Sequence, residues 1–427
     1  MVMRSQFSAP GSVARVAGMI GITALLSSIA AAPADARQSC SPVMDWNAYA
    51  LQATVTANQG AVPQIRSLAI VHVAMHDALN ALQPTYDTYL PVAGAPADAS
   101  ADAAVIAAAH QALKRLFPLQ ADDLGLKRSA SLASCGTSDT NSGIGVGVAA
   151  ADAVFTLRST DGAAQAGGPY TPPADAGQPG VWQPVGPAPV VAPGWGKVTP
   201  WVLRSARQFR PEAPPDLESE TYTRDYNEVK ALGAKTNSSR TTEQTQIAIF
   251  WDGSPSAIWN SVARGVITAR GLSPVEAARA LALMYLAAAD ASIVCFDAKY
   301  TYNFWRPVSA IRRADEDGNG STVPDGAWES LITTHQHPEY PSGHSTNSSA
   351  MATALELVFG DDPGVPIVAS SPRNPTFPRN WTTFSEGVDE VILARVYIGF
   401  HFRNSDVVGA RVGRQVAHFV YTHALRD

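Results

Sequence analysis

Apolar and small residues recur every three or four positions along most of this chain, which is the spacing of an α-helix that buries one face. The spacing holds over residues 68–82 and again over 101–117. The second segment ends in Lys114 and Arg115, two cations at the end where the helix dipole favours them, and Pro118 follows. The strict alternation that marks a strand is nearly missing. The pattern therefore predicts an all-α protein.

Three helix starts are marked by capping boxes, in which a Ser or Thr is followed three residues later by Glu or Gln. The pairs are Thr241 with Gln244, Ser273 with Glu276, and Thr383 with Glu386. In the helix that Ser273 opens, residues 281–289 carry no charge on any face. A helix that is apolar all round is buried, so we expect this one at the centre of a bundle.

Proline and glycine interrupt the helical pattern between residues 161 and 215, a stretch called the excursion below. So long an irregular stretch is a natural divider between helical parts. We therefore predict two packed helical bundles, with the anion site described below in the second. The N-terminal domain covers 37–215, including the excursion, and the C-terminal domain covers 216–427.

Composition excludes two broad classes of protein. The 427 residues are 46% hydrophobic and 16% charged, which excludes a mostly disordered chain. The formal net charge of −6 excludes a nucleic-acid binder that works through bulk positive charge. We expect a compact protein that has no nucleic-acid partner.

Residues 1–36 have the pattern of a secretory signal peptide. Arg4 and Arg15 form a positive start, an uncharged apolar run follows, and Ala34-Asp35-Ala36 matches a cleavage site. No later stretch is expected to be apolar enough to span a membrane. We therefore expect an exported protein, periplasmic or extracellular, without stable membrane insertion.

The three cysteines are too few for a disulfide scaffold, but export permits a disulfide. Cys40 and Cys135 can pair, which would leave Cys295, in an apolar run, as a buried thiol. The odd count alone does not decide the pairing.

Positive and imidazole groups concentrate in three short segments of the C-terminal third. The segments are Lys299-YTYNFW-Arg306-Pro307, Pro341-Ser342-Gly343-His344, and Arg395-VYIGF-His401. On a continuing helix, Lys299 and Arg306 would share a face two turns apart. The second segment opens a helix that runs to Phe359, so its hydroxyl and imidazole lie where free N–H groups bind anions.

Together these segments offer three cations, a hydroxyl, a cluster of backbone N–H groups and two imidazoles. This is the set of groups expected around a tetrahedral oxyanion that carries up to three negative charges. Arginine suits bidentate contacts with such an anion, whereas lysine acts as a point charge.

The three segments, complete and in this order, resemble the signatures of the vanadium-dependent haloperoxidase and type-2 phosphatidic acid phosphatase superfamily. The resemblance extends upstream to residues 250–253, Phe-Trp-Asp-Gly, which are similar to a haloperoxidase segment. Residues 45–80 also resemble exported bacterial members of the haloperoxidase branch.

The resemblance implies a role for each site residue. Orthovanadate would be the cofactor, bonded to His401 through an imidazole nitrogen and acting as a Lewis acid that lets hydrogen peroxide oxidise a halide. His344 would be the acid–base group. The groups that would hold the vanadate oxygens are Lys299, Arg306, Arg395, Ser342 and the Gly343 N–H, and Lys299 would also polarise the peroxide.

Four further residues bear on the site by the same resemblance. Asp252 would orient Arg395. His337, five residues before Ser342, lies where bromide-oxidising members are similar and chloride-oxidising ones carry Phe. Phe296 lies where the latter carry Trp, so bromide is favoured over chloride. The acid that commonly follows the third motif is displaced by one position, to Asp406.

The leading hypothesis is a vanadium-dependent haloperoxidase acting on hydrogen peroxide, halide and a small organic substrate. One alternative is a secreted, metal-free acid phosphatase in which His401 forms a phosphohistidine and His344 protonates the leaving group. Another is a non-catalytic oxyanion-binding protein. The sequence leaves open whether the protein forms a homo-oligomer. Of the remaining histidines, His72 and His76 are interpreted as a structural pair, and His335 as having no part in the site.

Overall fold

The computed structural model describes residues 40–92 and 94–427, so the predicted signal peptide over 1–36 lies outside the described residues. Within them the chain forms thirteen α-helices and a single two-stranded sheet. The helices are α1 (Pro42–Thr56), α2 (Ala61–Leu82), α3 (Ala101–Leu116), α4 (Ala121–Ser134), α5 (Gly143–Arg158), α6 (Glu220–Leu232), α7 (Thr242–Phe250), α8 (Pro255–Arg270), α9 (Pro274–Tyr302), α10 (Pro307–Arg312), α11 (Gly343–Phe359), α12 (Phe384–Tyr397) and α13 (Arg403–His423). The predicted all-α fold is confirmed.

The small sheet pairs β1 (Ile367–Ala369) with β2 (Arg379–Trp381) in antiparallel register, with Val368 opposite Asn380. All three predicted capping boxes form, at the starts of α7, α9 and α12. In each, the first side chain accepts from the N3 amide and the N3 side chain returns to the cap. These pairs are local in sequence, which is why the pattern alone identifies them.

Helix α9 is the central helix, as its uncharged stretch predicts. It packs against α2 on the N-terminal side and against α11 and α13 on the C-terminal side. The described residues accordingly form one compact unit, in which α9 packs against helices before and after the excursion. The boundary at 215/216 stays a prediction.

The expectation that no later segment is apolar enough to span a membrane is wrong on composition. Among the described residues, α9 contains an 18-residue window with a mean hydropathy of 1.6, long and apolar enough to cross a bilayer. However, 94% of that window is buried inside the protein. Packing of a core helix accounts for the same hydropathy.

The excursion is irregular, as predicted, with two short 3₁₀ turns at Ala163–Gln165 and Trp195–Lys197. It is held to the segment after α9 by main-chain hydrogen bonds. The amide of Trp182 donates to the Asn303 carbonyl at 2.6 Å, and the amide of Trp305 donates to the Gly180 carbonyl at 2.9 Å.

The expectation that one helix carries both Lys299 and Arg306 is wrong. Helix α9 ends at Tyr302, and Asn303 adopts the left-handed conformation with φ of 46°. Arg306 is the extended N-cap of α10, with Pro307 in the first helical position. Proline disfavours the helical conformation of the residue before it, so the helix breaks there and Arg306 is carried by a separate element.

Two glycines of α13 let it approach the start of α11 closely. A Cβ added to Gly413 would lie 2.2 Å from the carbonyl oxygen of Thr346, and one on Gly409 would lie 2.7 Å from that of Ser342. Only glycine permits such backbone contact. The N-terminus of α11 is therefore fixed against α13.

The structure shows which cysteines pair and where His72 and His76 lie. Cys40 and Cys135 form a disulfide, and Cys295 is a buried thiol. His72 and His76 lie on α2 with separate partners. The ring of His72 stacks on Tyr285 at 4.9 Å, while Nε2 of His76 lies 3.1 Å from the Asp87 carbonyl oxygen. Both are part of the core, as interpreted.

Candidate active site

The three charged segments converge in the C-terminal half of the fold. Lys299 lies in the last turn of α9, Arg306 caps α10, and Arg395 lies in the last turn of α12. All three side chains are fully buried. Moving an isolated charge out of water carries a large free-energy cost, so three buried cations in one region require anionic partners.

Arg306 joins the elements of the site. Its Nε donates to the His337 carbonyl and its Nη1 to the Phe400 carbonyl, both at 2.9 Å. The same Nη1 lies 3.2 Å from Nε2 of His401. Burial lowers the pKa of Arg306 to about 10, which still leaves the guanidinium charged at neutral pH.

Lys299 is anchored by two carbonyl groups. Its Nζ donates to Pro338 and Glu339 at 2.9 Å each, which leaves one of its three ammonium donors for another acceptor. Burial lowers the pKa of Lys299 to about 7. The buried amine is therefore only partly protonated at neutral pH, and a bound anion would favour its charged form.

Arg395 is the least satisfied of the three cations. Its Nη1 donates to the Trp251 carbonyl at 2.9 Å, whereas its buried Nε and Nη2 have no hydrogen-bond partner among the described residues. The guanidinium lies 5.0 Å from the centre of the Phe400 ring. Two unpartnered, charged donors in a buried site are the geometry expected of an anion-binding arginine.

The expected hydrogen bond between Asp252 and Arg395 does not form within the described residues. The Asp252 carboxylate instead accepts from Nε and Nη2 of Arg373, at 2.8 and 2.6 Å. Asp252 still raises the pKa of Arg395 through its charge, although burial dominates and lowers that pKa to about 10. Asp252 therefore acts on Arg395 through its charge, while the carbonyl of the preceding residue, Trp251, accepts the hydrogen bond from the guanidinium.

The Ser342–His344 segment forms the start of α11, as predicted. The Ser342 hydroxyl caps the helix by accepting from the Ser345 amide, and Gly343 and His344 occupy the first two helical positions. Their N–H groups have no intrahelical acceptor. A Cβ built on Gly343 would lie 3.8 Å from Cε of Lys299, so the helix start is next to that lysine.

His401 is oriented by a carboxylate that the sequence analysis missed. Its Nδ1 lies 2.8 Å from Oε1 of Glu339, which also accepts from the Phe402 amide at 3.0 Å. The hydroxyl of Ser405 donates to Oε2 at 2.6 Å. Because Nδ1 donates to the carboxylate, Nε2 carries the lone pair, which faces Nη1 of Arg306 and can act as a ligand or nucleophile once that hydrogen bond is broken.

The displaced acid, Asp406, does not bond to His401. It is buried, and its Oδ1 accepts from the Ser345 hydroxyl at 2.8 Å. Burial raises its pKa well above the ordinary value. Asp406 therefore supports the start of α11, and Glu339 takes the place beside the imidazole.

Comparison with known proteins identifies relatives of the same fold. Residues 279–426 match a family model described as the VCPO second helical-bundle domain. The chain is 26% identical to a bacterial vanadium-dependent iodoperoxidase whose crystal structure superimposes with a TM-score of 0.79, covering 91% of this chain and 98% of the other. These matches support placing this chain in the vanadium haloperoxidase superfamily.

Two further relatives are more distant. Vanadium chloroperoxidase of Curvularia inaequalis is 24% identical over 285 residues, or 52% of this chain and 46% of that protein, so the match spans about half of the relative's length. A holo-type bacterial vanadium-dependent chloroperoxidase is 19% identical, with a TM-score of 0.67 over 89% of this chain and 92% of the other. The likeness to the second supports the fold alone.

The residues of this site fit vanadate. The fit rests on the unpartnered donors of Arg395, the spare donor of Lys299 and the lone pair on Nε2 of His401. His344 adds a buried Nε2 that also lacks a partner in the described part of the chain. Burial, followed by the charge of Arg395, holds the pKa of His344 well below its ordinary value, so the imidazole is neutral before an anion binds.

A cavity of about 340 Å³ opens onto this site. Gly343, His344 and His401 belong to its lining, as do the predicted residues Phe296 and His337. The two rings lie 5.6 Å apart, and Nδ1 of His337 is 3.0 Å from Nη2 of Arg306. Phe296 and His337 are thus beside the anion site, as the resemblance implies.

His335 also lines the cavity, so the interpretation that it has no part in the site is wrong. Its ring is parallel to His337 within 8° and to His344 within 12°, with centroids 6.1 and 6.3 Å away. Burial and then the charge of Arg395 lower the pKa of His335 to about 3. The loop preceding Ser342 thus adds two neutral imidazoles to the wall.

Proposed function

We propose that this protein is a vanadate-dependent haloperoxidase that uses hydrogen peroxide to oxidise halide, with bromide favoured over chloride. The observation that carries the proposal is the unpartnered Nε and Nη2 of Arg395, buried in the same site as two other cations and His401, whose Nε2 carries the lone pair. Such a site provides both a ligand for vanadium and donors for its oxygen atoms.

The chain's own residues would divide the work. His401 would bond vanadium through Nε2, while the Glu339 carboxylate keeps the proton on Nδ1. Lys299, Arg306 and Arg395 would neutralise the negative oxygens, with the Ser342 hydroxyl and the Gly343 N–H as further donors. Bound vanadate would supply Lewis acidity that activates hydrogen peroxide towards halide.

His344 is proposed as the acid–base group. Its Nε2 is unpartnered in the described residues, and its pKa is lowered by burial, so it is deprotonated and ready to accept a proton. A bound anion would raise that pKa, because negative charge stabilises the imidazolium. The same nitrogen would then return the proton to a departing oxygen.

The preference for bromide is proposed from His337 and Phe296. An imidazole beside Arg306 makes this part of the cavity more polar than the Phe implied for chloride-oxidising relatives would. The test compares kcat/KM for bromide and chloride in His337→Phe and in His418→Phe, a control on an exposed part of α13. His337→Phe should lower the bromide-to-chloride ratio; an unchanged ratio would remove His337 from the proposal.

Export to the periplasm or outside the cell, a small organic substrate and the lack of stable membrane insertion are also proposed. The first rests on the signal-peptide pattern over 1–36. Detection of mature protein beginning near residue 37 in an extracellular or periplasmic fraction would support it.

The alternative activity, phosphomonoester hydrolysis, uses the same cage, so a single experiment separates the two. Protein stripped of anions is divided, and one half receives orthovanadate. Both halves are assayed for peroxide-dependent bromination and for p-nitrophenyl phosphate hydrolysis. Bromination that requires vanadate and is suppressed by phosphate supports the haloperoxidase; hydrolysis without vanadate, with no bromination in either half, supports the phosphatase and contradicts our proposal.

A further inference from the structure

We infer that the cavity beside the anion site holds the organic acceptor itself, and that this acceptor is a neutral, apolar, electron-rich aromatic molecule such as a phenol. The inference rests on the proposed function, since it concerns where the oxidised halogen is used. It assigns the excursion a role as one wall of a binding pocket.

The first observation is the size of the cavity. A halide ion and a peroxide molecule each need space on the order of one or two water molecules, whose share of liquid volume is about 30 Å³. The cavity measures about 340 Å³. Pockets for small organic molecules begin at roughly 300 Å³. Much of this space is therefore not required by the inorganic reactants.

The second observation is that the lining combines imidazoles with apolar side chains. The imidazoles are those of His335, His337, His344 and His401, and Asp252, Ser254 and Asn347 are the other polar side chains of the lining. The apolar side chains, called the apolar wall below, come from four separate parts of the chain: Ala61 and Val62, Val191, Pro255, and Phe296. Water gains few hydrogen bonds against such a wall, so an apolar molecule that displaces it is favoured.

The third observation is that the excursion is anchored at this wall. The Val191 amide donates to the Gln336 carbonyl at 2.7 Å, and the Tyr300 hydroxyl donates to the Val191 carbonyl at 2.5 Å. The Gln336 side chain also binds both main-chain groups of Val185, at 2.8 and 2.6 Å. Gln336 lies between His335 and His337, so one short loop carries two of the imidazoles and also holds Val191 of the apolar wall.

The chemistry then selects the acceptor. In the step, a ring carbon attacks the halogen of a hypohalous acid, the O–X bond breaks and a C–X bond forms. The proton lost from that carbon combines with the departing hydroxide to give water. This step needs an electron-rich ring, and the apolar wall disfavours an acceptor that carries a charge.

The test is a competition between 4-tert-butylphenol and 4-hydroxybenzenesulfonate in one reaction with vanadate-loaded protein, bromide and peroxide. The same two phenols treated with hypobromous acid in the absence of protein give the reference product ratio. We expect the protein to favour the apolar phenol over that reference ratio by roughly tenfold. A product ratio equal to the reagent's overturns the inference.

Two variants make the test specific to the wall. Val191→Asp places a carboxylate there, and Val191→Thr keeps the shape while adding a hydroxyl; both should move the product ratio towards the reagent value, Asp further. Val191 is 38% exposed and anchored through its main chain, so both variants are expected to fold. The control is Val368→Asp, at an exposed position of β1, which should keep the wild-type ratio. Equal ratios in wild type and both Val191 variants contradict the inference.

Failure of the proposed function is recognised separately. Tribromide formation without any organic acceptor reports halide oxidation alone, and its lack in wild type refutes the haloperoxidase. Calorimetric titration of wild type and the two Asp variants with 4-tert-butylphenol then tests whether the phenol binds in the cavity. Binding that Val191→Asp weakens and Val368→Asp does not supports the inference, and no binding, or equal binding in all three proteins, overturns it.

Discussion

Nδ1 of His401 lies 2.8 Å from Oε1 of Glu339, with both side chains buried, although 62 residues separate them along the chain. The carboxylate accepts two further hydrogen bonds, from Phe402 and Ser405. This arrangement fixes the tautomer and the plane of the imidazole before any anion binds.

Replacing Glu339 by Gln should weaken vanadate binding by roughly tenfold to a hundredfold, the usual effect of losing such a partner. The glutamine amide has the shape of the carboxylate, but its NH2 group replaces one oxygen. That group is a donor and would face His401, Phe402 or Ser405, which already donate to this position. Equilibrium dialysis of vanadate measures the change. Glu329→Gln is the matched control, since Glu329 is exposed and pairs with Lys235. Equal affinity in the two variants would show that Glu339 does not position the ligand.

Replacing His401 by Ala should abolish vanadate retention together with both candidate activities, because the substitution removes the Nε2 ligand. Vanadium content after gel filtration and turnover of each substrate are the measurements. His418→Ala serves as the control on an exposed face of α13. Turnover retained by His401→Ala would contradict the role assigned to this residue.

Replacing His344 by Gln should separate binding from turnover. The cations and His401 remain, so vanadate should still bind, whereas kcat should fall by about 10²- to 10⁴-fold through loss of the acid–base group. Vanadate titration and steady-state kinetics are run on the same sample. A parallel loss of affinity would assign His344 to anion binding instead.

Replacing Arg395 by Met should weaken anion binding by about tenfold to a hundredfold, because a charged donor group is lost. The anion-free protein should keep or gain stability, since a buried charge with two unpartnered donors is removed. Thermal unfolding with and without vanadate checks both points, because at a fixed ligand concentration a tighter ligand raises Tm further, roughly with the logarithm of its affinity. Arg414→Met, at an exposed position, should leave the vanadate-induced shift unchanged.

The affinity for sulfate should fall as pH rises above about 7. Burial lowers the pKa of Lys299 from 10.5 to about 7 in the anion-free protein, so above that pH the free site loses its ammonium charge while binding requires it. Binding then takes up a proton. The same shift means that the contribution of Lys299 to folding stability increases between about pH 7 and 10.5, where the unfolded chain binds more protons. Calorimetry in buffers of different ionisation enthalpy should detect the uptake in wild type, and Lys299→Met should take up fewer protons than wild type at the same pH. A pH-independent affinity in wild type would contradict this.

The parts of the fold that the sequence predicts are those set by near neighbours. Capping boxes, helix periodicity and the Pro/Gly-rich excursion each depend on residues three or four positions apart. The start of α11 at Gly343, which presents the Ser342–His344 motif, follows from the same local rules. The break between Lys299 and Arg306 is local too, since Pro307 marks it, and the assumption of a continuing helix overlooked that signal.

What the sequence by itself determined is therefore an all-α chain that carries three cations, a hydroxyl and two imidazoles in an order typical of an oxyanion site. Only the tertiary structure decided that Glu339 binds His401, that Arg373 pairs with Asp252, and that His335 and Val191 line the same cavity. These are contacts between segments far apart in sequence, created when α9 packs between the helices before and after the excursion. Local hydrogen bonds and hydrophobic periodicity specify which elements form, whereas partners across the core depend on how those elements pack.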